Sequence, residues 1–375
     1  MMYPLLMVSL SLDYGRVGLV GTLFICTASL SQPFFGYLAD RIPTRFLAAG
    51  GIAWIATLMG LVGFAWDYTS LIVLVCLAAL GNGAFHPQGA MNASMVSGRQ
   101  RASGVSIFLL GGTIGFAVAP LIVAAILSQL GAKGALVMTV PGLLAATAVW
   151  ISMSRHEGRE RNEAEERRSL AGRSRGAAVQ AGASLAGLAV LVLIVALRSW
   201  PYQALTSYIP LLVNSRYAEV SAASMADASG TLFAYLAGAA CGMLGGGLLA
   251  DRLGRIRTCT VTLLITAPAV YFFLQSGGPI ALALAAVAGF MVEASHPVTV
   301  VMAQEMLPRS TGLASGLILG LAFVAGGIGA FFTGLIADRW TLYTALVSLA
   351  IFPLAAAVLC LVLYRVSPHL SVATE

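Results

Sequence analysis

Four ionisable side chains stand where an apolar sequence should not tolerate them. Glu293 and His296 lie three positions apart in Gly289-Phe-Met-Val-Glu293-Ala-Ser-His296-Pro297, so on a helix they share a face, which Gln304 continues. Glu293 falls near the middle of an apolar run, 279–306, where a charge costs about 3 kcal/mol even on the mildest insertion scale. A carboxyl at that depth can carry protons, ionised or neutral as its access to water changes. The bland alternative is a structural carboxyl, permanently protonated or paired with histidine. His86 sits in a parallel stretch, Leu80-Gly-Asn82-Gly-Ala-Phe-His86-Pro87, with Asn82 one turn before it on the same face. Histidine changes charge near neutral pH. A neutral hinge or packing post is as good a reading of His86. Arg198 lies about 21 Å into the run 184–213, counted at 1.5 Å per residue. Tyr202 and Thr206 follow at one-turn intervals. Its guanidinium suits a phosphonate or carboxylate. It could instead form an ion pair with Glu293, and an anion competing for that pair would couple anion binding to the proton.

A second constellation occurs twice. Gly36-Tyr-Leu-Ala-Asp40-Arg41-Ile-Pro-Thr-Arg45 is echoed by Gly247-Leu-Leu-Ala-Asp251-Arg252-Leu-Gly-Arg255. An Asp closing one span can pair with Arg and with the positive end of a neighbouring helix, which makes a latch. A helix-end charge that only anchors the interface is the alternative. Gly36 and Gly247, four residues before each Asp, would allow helices to approach closely. Asp40 and Asp251 are 211 positions apart, and His86 and His296 are 210 apart. Two landmarks at nearly one offset make the chain one unit written twice.

These residues must be positioned by membrane helices. Of the 375 residues 59% are hydrophobic and 10% charged, against roughly a quarter charged in soluble domains. The apolar runs lack strand alternation, which excludes a barrel. Eleven spans of the length a bilayer needs read 16–38, 46–66, 69–96, 102–128, 133–153, 184–213, 226–250, 257–275, 279–306, 311–337 and 341–365. The five cysteines fall inside apolar runs without metal or redox spacing and read as packing residues. Two histidines meeting across the halves would make a weak metal site, so no metal is expected. No phosphate loop or nucleophile elbow appears, so neither an enzyme nor a cofactor is expected.

Arginines set the orientation. Loops on one side hold 16 of the 21 Lys and Arg, including Arg252 and the tail at Arg365, and the other side holds four. The basic side is cytoplasmic, and with it the C-terminus. Position thus explains the net charge of +6 without a nucleic-acid partner. Residues 1–154 read as an N-terminal bundle, 155–183 as a polar cytoplasmic linker of mixed charge, and 184–375 as a C-terminal bundle. The second half has six spans and the first five. Tyr3-Pro4-Leu5-Leu6 resembles Tyr208-Ile-Pro210-Leu211-Leu212, so residues 1–10 are expected to be the outer end of a truncated first helix.

The doubled G-x-L-A-D-R signature resembles the cytoplasmic loop motif of the major facilitator superfamily. Ala84-Phe85-His86-Pro87-Gln88-Gly89-Ala90 together with Leu197-Arg198-Ser199-Trp200 resembles more narrowly its fosmidomycin-resistance branch of drug exporters. Gly111-Gly112-Thr-Ile-Gly115-Phe-Ala-Val-Ala-Pro120 resembles the antiporter-type fifth-helix motif, with Ala119 where the motif has Gly. Gly326-Gly327-Ile-Gly329 is its partner segment. The resemblance implies an all-α membrane protein, a pseudo-two-fold pair of six-helix bundles with eleven complete spans and a stub. It implies a monomer in a bacterial inner membrane, exporting a small fosmidomycin-like drug by proton antiport through alternating access. Glu293, His296 and His86 would couple protons, and Arg198, Tyr202, Asn82 and Gln304 would bind substrate. The two Asp-Arg loops would form the cytoplasmic gate. An uptake carrier for a metabolite anion, or an inactive or sensor remnant, are the alternatives.

Overall fold

A computed structural model of the chain describes residues 6, 10–12, 14–170, 185–217 and 222–367. The described residues are nearly all helical, with no strand among them. Within hydrocarbon the backbone must satisfy its own hydrogen bonds, and a helix does so within one segment. In order the helices are α1 (Tyr14–Ala39), α2 (Thr44–Leu61), α3 (Tyr68–Val96), α4 (Arg101–Leu130), α5 (Thr139–Leu170), α6 (Leu185–Asn214), α7 (Ala222–Leu253) and α8 (Arg255–Gln275). There follow α9 (Gly278–Ala294), α10 (His296–Met306), α11 (Thr311–Arg339), α12 (Leu342–Ser348) and α13 (Ile351–Val366). Ten spans among the described residues are long and apolar enough to cross a membrane. The expected span 102–128 corresponds to α4, 30 residues long. Tyr3-Pro4-Leu5 lies outside the described residues, as does the linker beyond Leu170, whose earlier part continues α5.

Two expected single spans are each built from two helices. Proline lacks an N–H and its ring crowds the carbonyl four residues back. Pro297 does this at Glu293 and the helix breaks at Ser295 between α9 and α10. Pro353 does it at Leu349, between α12 and α13. Pro87, the repeat partner of Pro297, leaves α3 unbroken. Of the two matched His-Pro pairs, then, only the second marks a break.

Contacts divide the chain into two units. Met1–Gly89 and Phe116–Gly182 form the first; Ala90–Gly115 and Ala183–Glu375 form the second. A piece of the first repeat, the end of α3 and the start of α4, thus packs as part of the second unit. In the first unit Gly51 and Gly81 bring α2 and α3 so close that a methyl on either would press on the other's carbonyl. The second unit has a longer version of the same device. Gly238, Gly242 and Gly246 of α7 face the carbonyls of Ala286, Phe290 and Ala294 on α9, and Gly289 returns the contact against the Tyr235 carbonyl. Both series advance by four residues in the same direction, so α7 and α9 run parallel with backbones touching. No side chain fits between them. That contact sets the height of Tyr235 against Glu293.

Candidate functional site

Arg198 from α6 and Glu293 from α9 meet in the second unit, Nη2 donating to Oε1 at 2.5 Å. The other carboxylate oxygen lies 2.8 Å from Nδ1 of His296, the first residue of α10. Burial is nearly complete, 2% exposure for Arg198 and 1% for Glu293. The ion pair that the sequence offered as one reading of Arg198 is therefore formed, and Glu293 and His296 share a face as their spacing requires.

Tyr202, one turn beyond Arg198, lays its ring against that of Tyr235 with centroids 6.3 Å apart. Tyr235 escaped the sequence reading, because one tyrosine in an apolar run carries no signal. The only sequence hint was the Gly238-x-x-x-Gly242-x-x-x-Gly246 series directly after it. Gln304 does not join this group. Its Nε2 donates to Ser315 Oγ at 2.8 Å and reaches the Ala90 carbonyl at 3.4 Å, holding α10, α11 and the end of α3 together. His86 and Asn82 lie half-buried on α3 in the first unit, the His86 ring 5.7 Å from that of Phe85.

Asp251, at the end of α7, accepts from the backbone N–H groups of Ala102 at 3.2 Å and Ser103 at 2.8 Å, and from Ser103 Oγ at 2.6 Å. Those are the unsatisfied donors of the first turn of α4, where a carboxylate gains from both hydrogen bonding and the helix dipole. Gly247, one turn earlier, packs on Ser106 and the Ala102 carbonyl, so no larger residue fits there. Arg255 is buried and bonds Glu305 at 2.8 Å, while Arg252 is exposed. In the first copy Arg41 lies over the Tyr37 ring at 4.0 Å, and Arg45 lies 5.3 Å from both Phe46 and Trp150. Gly36 is buried and Asp40 half-buried beside them. Ser103, the partner of Asp251, was not legible in the sequence, since no motif joins it to a loop almost 150 residues on.

The glycine-rich segments Gly111–Gly115 and Gly326–Gly329 pack differently. Gly326 packs on Ser199 and Gln203, and Gly329 on the indole of Trp200, so α11 and α6 cross tightly. Trp200 Nε1 donates to Thr333 Oγ1 at 2.9 Å across the same crossing. Gly111, Gly112 and Gly115 have no atom within 4 Å of where a side chain would begin. Of the two segments, only the one in the second repeat forms a close crossing. In it α6 supplies the partner, and the described residues hold no counterpart of α6 in the first. No group of three or more His, Cys, Asp or Glu able to hold a metal occurs among the described residues.

The family model of the Major Facilitator Superfamily matches residues 1–234 and 219–375. The chain is 30% identical to the uncharacterized MFS-type transporter YfnC of Bacillus subtilis, over 94% of this chain and 85% of that protein. It is 27% identical to the fosmidomycin resistance protein of Escherichia coli, over 90% of this chain and 81% of that one. Its fold is similar to that of the Escherichia coli fucose:proton symporter, with a TM-score of 0.68 at 14% identity over 97% and 94% of the two chains.

Proposed function

The chain belongs to the major facilitator superfamily, and from that membership we propose that it exports a small anionic drug of the fosmidomycin type in exchange for protons. It is a multi-pass membrane transporter and not an enzyme. The observation carrying the finer reading is the enclosed cluster Arg198–Glu293–His296. A carboxylate in that place is held by two cationic or protonatable partners and little else. A substrate anion and the Glu293 carboxylate compete for one guanidinium. That competition links substrate binding at Arg198 to the protonation of Glu293. Similarity to a fosmidomycin resistance protein supports the substrate class. His86 and Asn82, on the matched stretch of the first repeat, are proposed to add a second protonatable group and a polar contact. Tyr202 lines the substrate side of Arg198.

The test is proton exchange in proteoliposomes loaded with a pH-sensitive dye. An outward fosmidomycin gradient should drive counter-movement of protons in the unaltered protein. Glu293→Gln should abolish it while the protein still inserts and purifies as before. Undiminished drug-driven exchange in that variant would remove Glu293 as the coupling group.

A further inference from the structure

Several polar atoms around the ion pair are enclosed by protein and have no hydrogen-bond partner. They are Nε and Nη1 of Arg198, the hydroxyl of Tyr235, Nε2 of His296 and Oγ of Ser295. Native interiors leave few such atoms, and each stranded one is costly. Here they gather in one neighbourhood of one unit. The balance among them is lopsided. A guanidinium offers five N–H donors, of which one group is used on Glu293, and both oxygens of that carboxylate are already taken. Donors outnumber acceptors, so what completes the cluster must be rich in acceptors. A cationic amine would add donors to a surplus; an oxyanion would consume them.

Tyr235 is placed to contribute to that surplus. Its side chain is wholly buried and otherwise surrounded by the apolar core of Leu205, Ile209, Phe273 and Val292. Its ring lies against Tyr202, one turn from Arg198. Its backbone touches Gly289, one turn from Glu293. Phenylalanine would pack in that core without a stranded hydroxyl, so packing gives no reason for the oxygen. We propose that Tyr235 is a substrate-binding residue: when Glu293 lets go of Arg198, the phenol hydroxyl and the free Nε and Nη1 of Arg198 close together on the phosphonate or carboxylate head of the transported compound. The inference rests on the reading of Arg198 as an anion ligand and adds the residue that makes the site select a head group with several acceptor oxygens.

The test is Tyr235→Phe, which removes one oxygen. Binding of fosmidomycin and of its uncharged phosphonate diester is titrated to the purified full chain by calorimetry. In parallel each compound's stabilisation is measured against the variant's own unfolding midpoint, so that a less stable variant still reports. A hydrogen bond to a charged group should make fosmidomycin about 10- to 100-fold weaker, with the diester unchanged within about twofold and drug-free proton leak unaltered. Unchanged fosmidomycin binding, or equal loss for both compounds, would overturn the role of Tyr235. Arg198→Gln separates the two levels. If it loses fosmidomycin while Tyr235→Phe does not, Arg198 stands and Tyr235 falls. If neither variant matters, or the unaltered protein binds no fosmidomycin, both fall together.

Discussion

Both oxygens of Glu293 are occupied, one by Arg198 and one by His296, so removing any member strands the others. Breaking a buried pair from one side typically costs about 3–5 kcal/mol, whereas replacing both partners by apolar groups of similar size is often neutral or better. Arg198→Met should therefore lower the unfolding midpoint in detergent markedly, and Arg198→Met with Glu293→Met should recover most of the loss while remaining inactive. A double variant no more stable than the single would mean that the charges are not what holds α6 to α9. At this scale much of the chemistry was legible. An acid and a histidine three apart in an apolar run announce themselves through the cost of burying them, and an arginine about halfway along another run does the same. Tyr235 and Ser103 were not legible, because a lone phenol or hydroxyl is inexpensive in any helix. Their meaning lies in what other elements bring to them.

The parallel contact of α7 with α9 decides where those groups stand. Gly242 faces the Phe290 carbonyl with no room for a methyl, whereas Gly327 on α11 has nothing within 4 Å. Gly242→Leu would have to push two backbones apart three residues from Glu293, so it should cost at least the ~1–3 kcal/mol of an overpacked core and disturb the ion pair as well. Gly327→Ala should be neutral or stabilise by up to about 0.5–1 kcal/mol, since alanine is the better helix former. Unfolding midpoints and fosmidomycin binding on the two variants would separate a contact that positions the site from glycine abundance as such. The four-residue glycine spacing is visible in the sequence. Its partner is not, because any of several helices could offer the matching carbonyls. Proline was an equally partial guide. Pro297 ends a helix beneath His296, but Pro87 does not beneath His86.

Over the whole molecule the duplication was legible from two landmarks at nearly one offset. Arg41 and Arg45 rest on aromatic rings, while Asp251 clasps the first turn of α4, a piece of the other repeat that packs within the second unit. That exchange of a segment between repeats could not be read from sequence, which records the copies but not which neighbour each end meets. The arginine count predicts that both loops lie on the cytoplasmic side. A cytoplasmically active reporter fused after Arg365 should therefore be active and a periplasmic one silent, with the reverse in the loop at Lys133. If transport requires the clasp to open towards the cytoplasm, its strength sets how often that happens. A carboxylate capping a helix is worth roughly 0.5–2 kcal/mol, so Asp251→Ala should raise the open population by roughly 2- to 30-fold on that range. Ser106, buried behind Gly247, is the place to read it. In a background free of other cysteines, Ser106→Cys should be labelled faster by a charged thiol reagent from the cytoplasmic side once Asp251 is removed, and addition of fosmidomycin should shift the rate again. Labelling that ignores Asp251 would make the clasp a static helix cap, and the moving joint would have to be sought elsewhere.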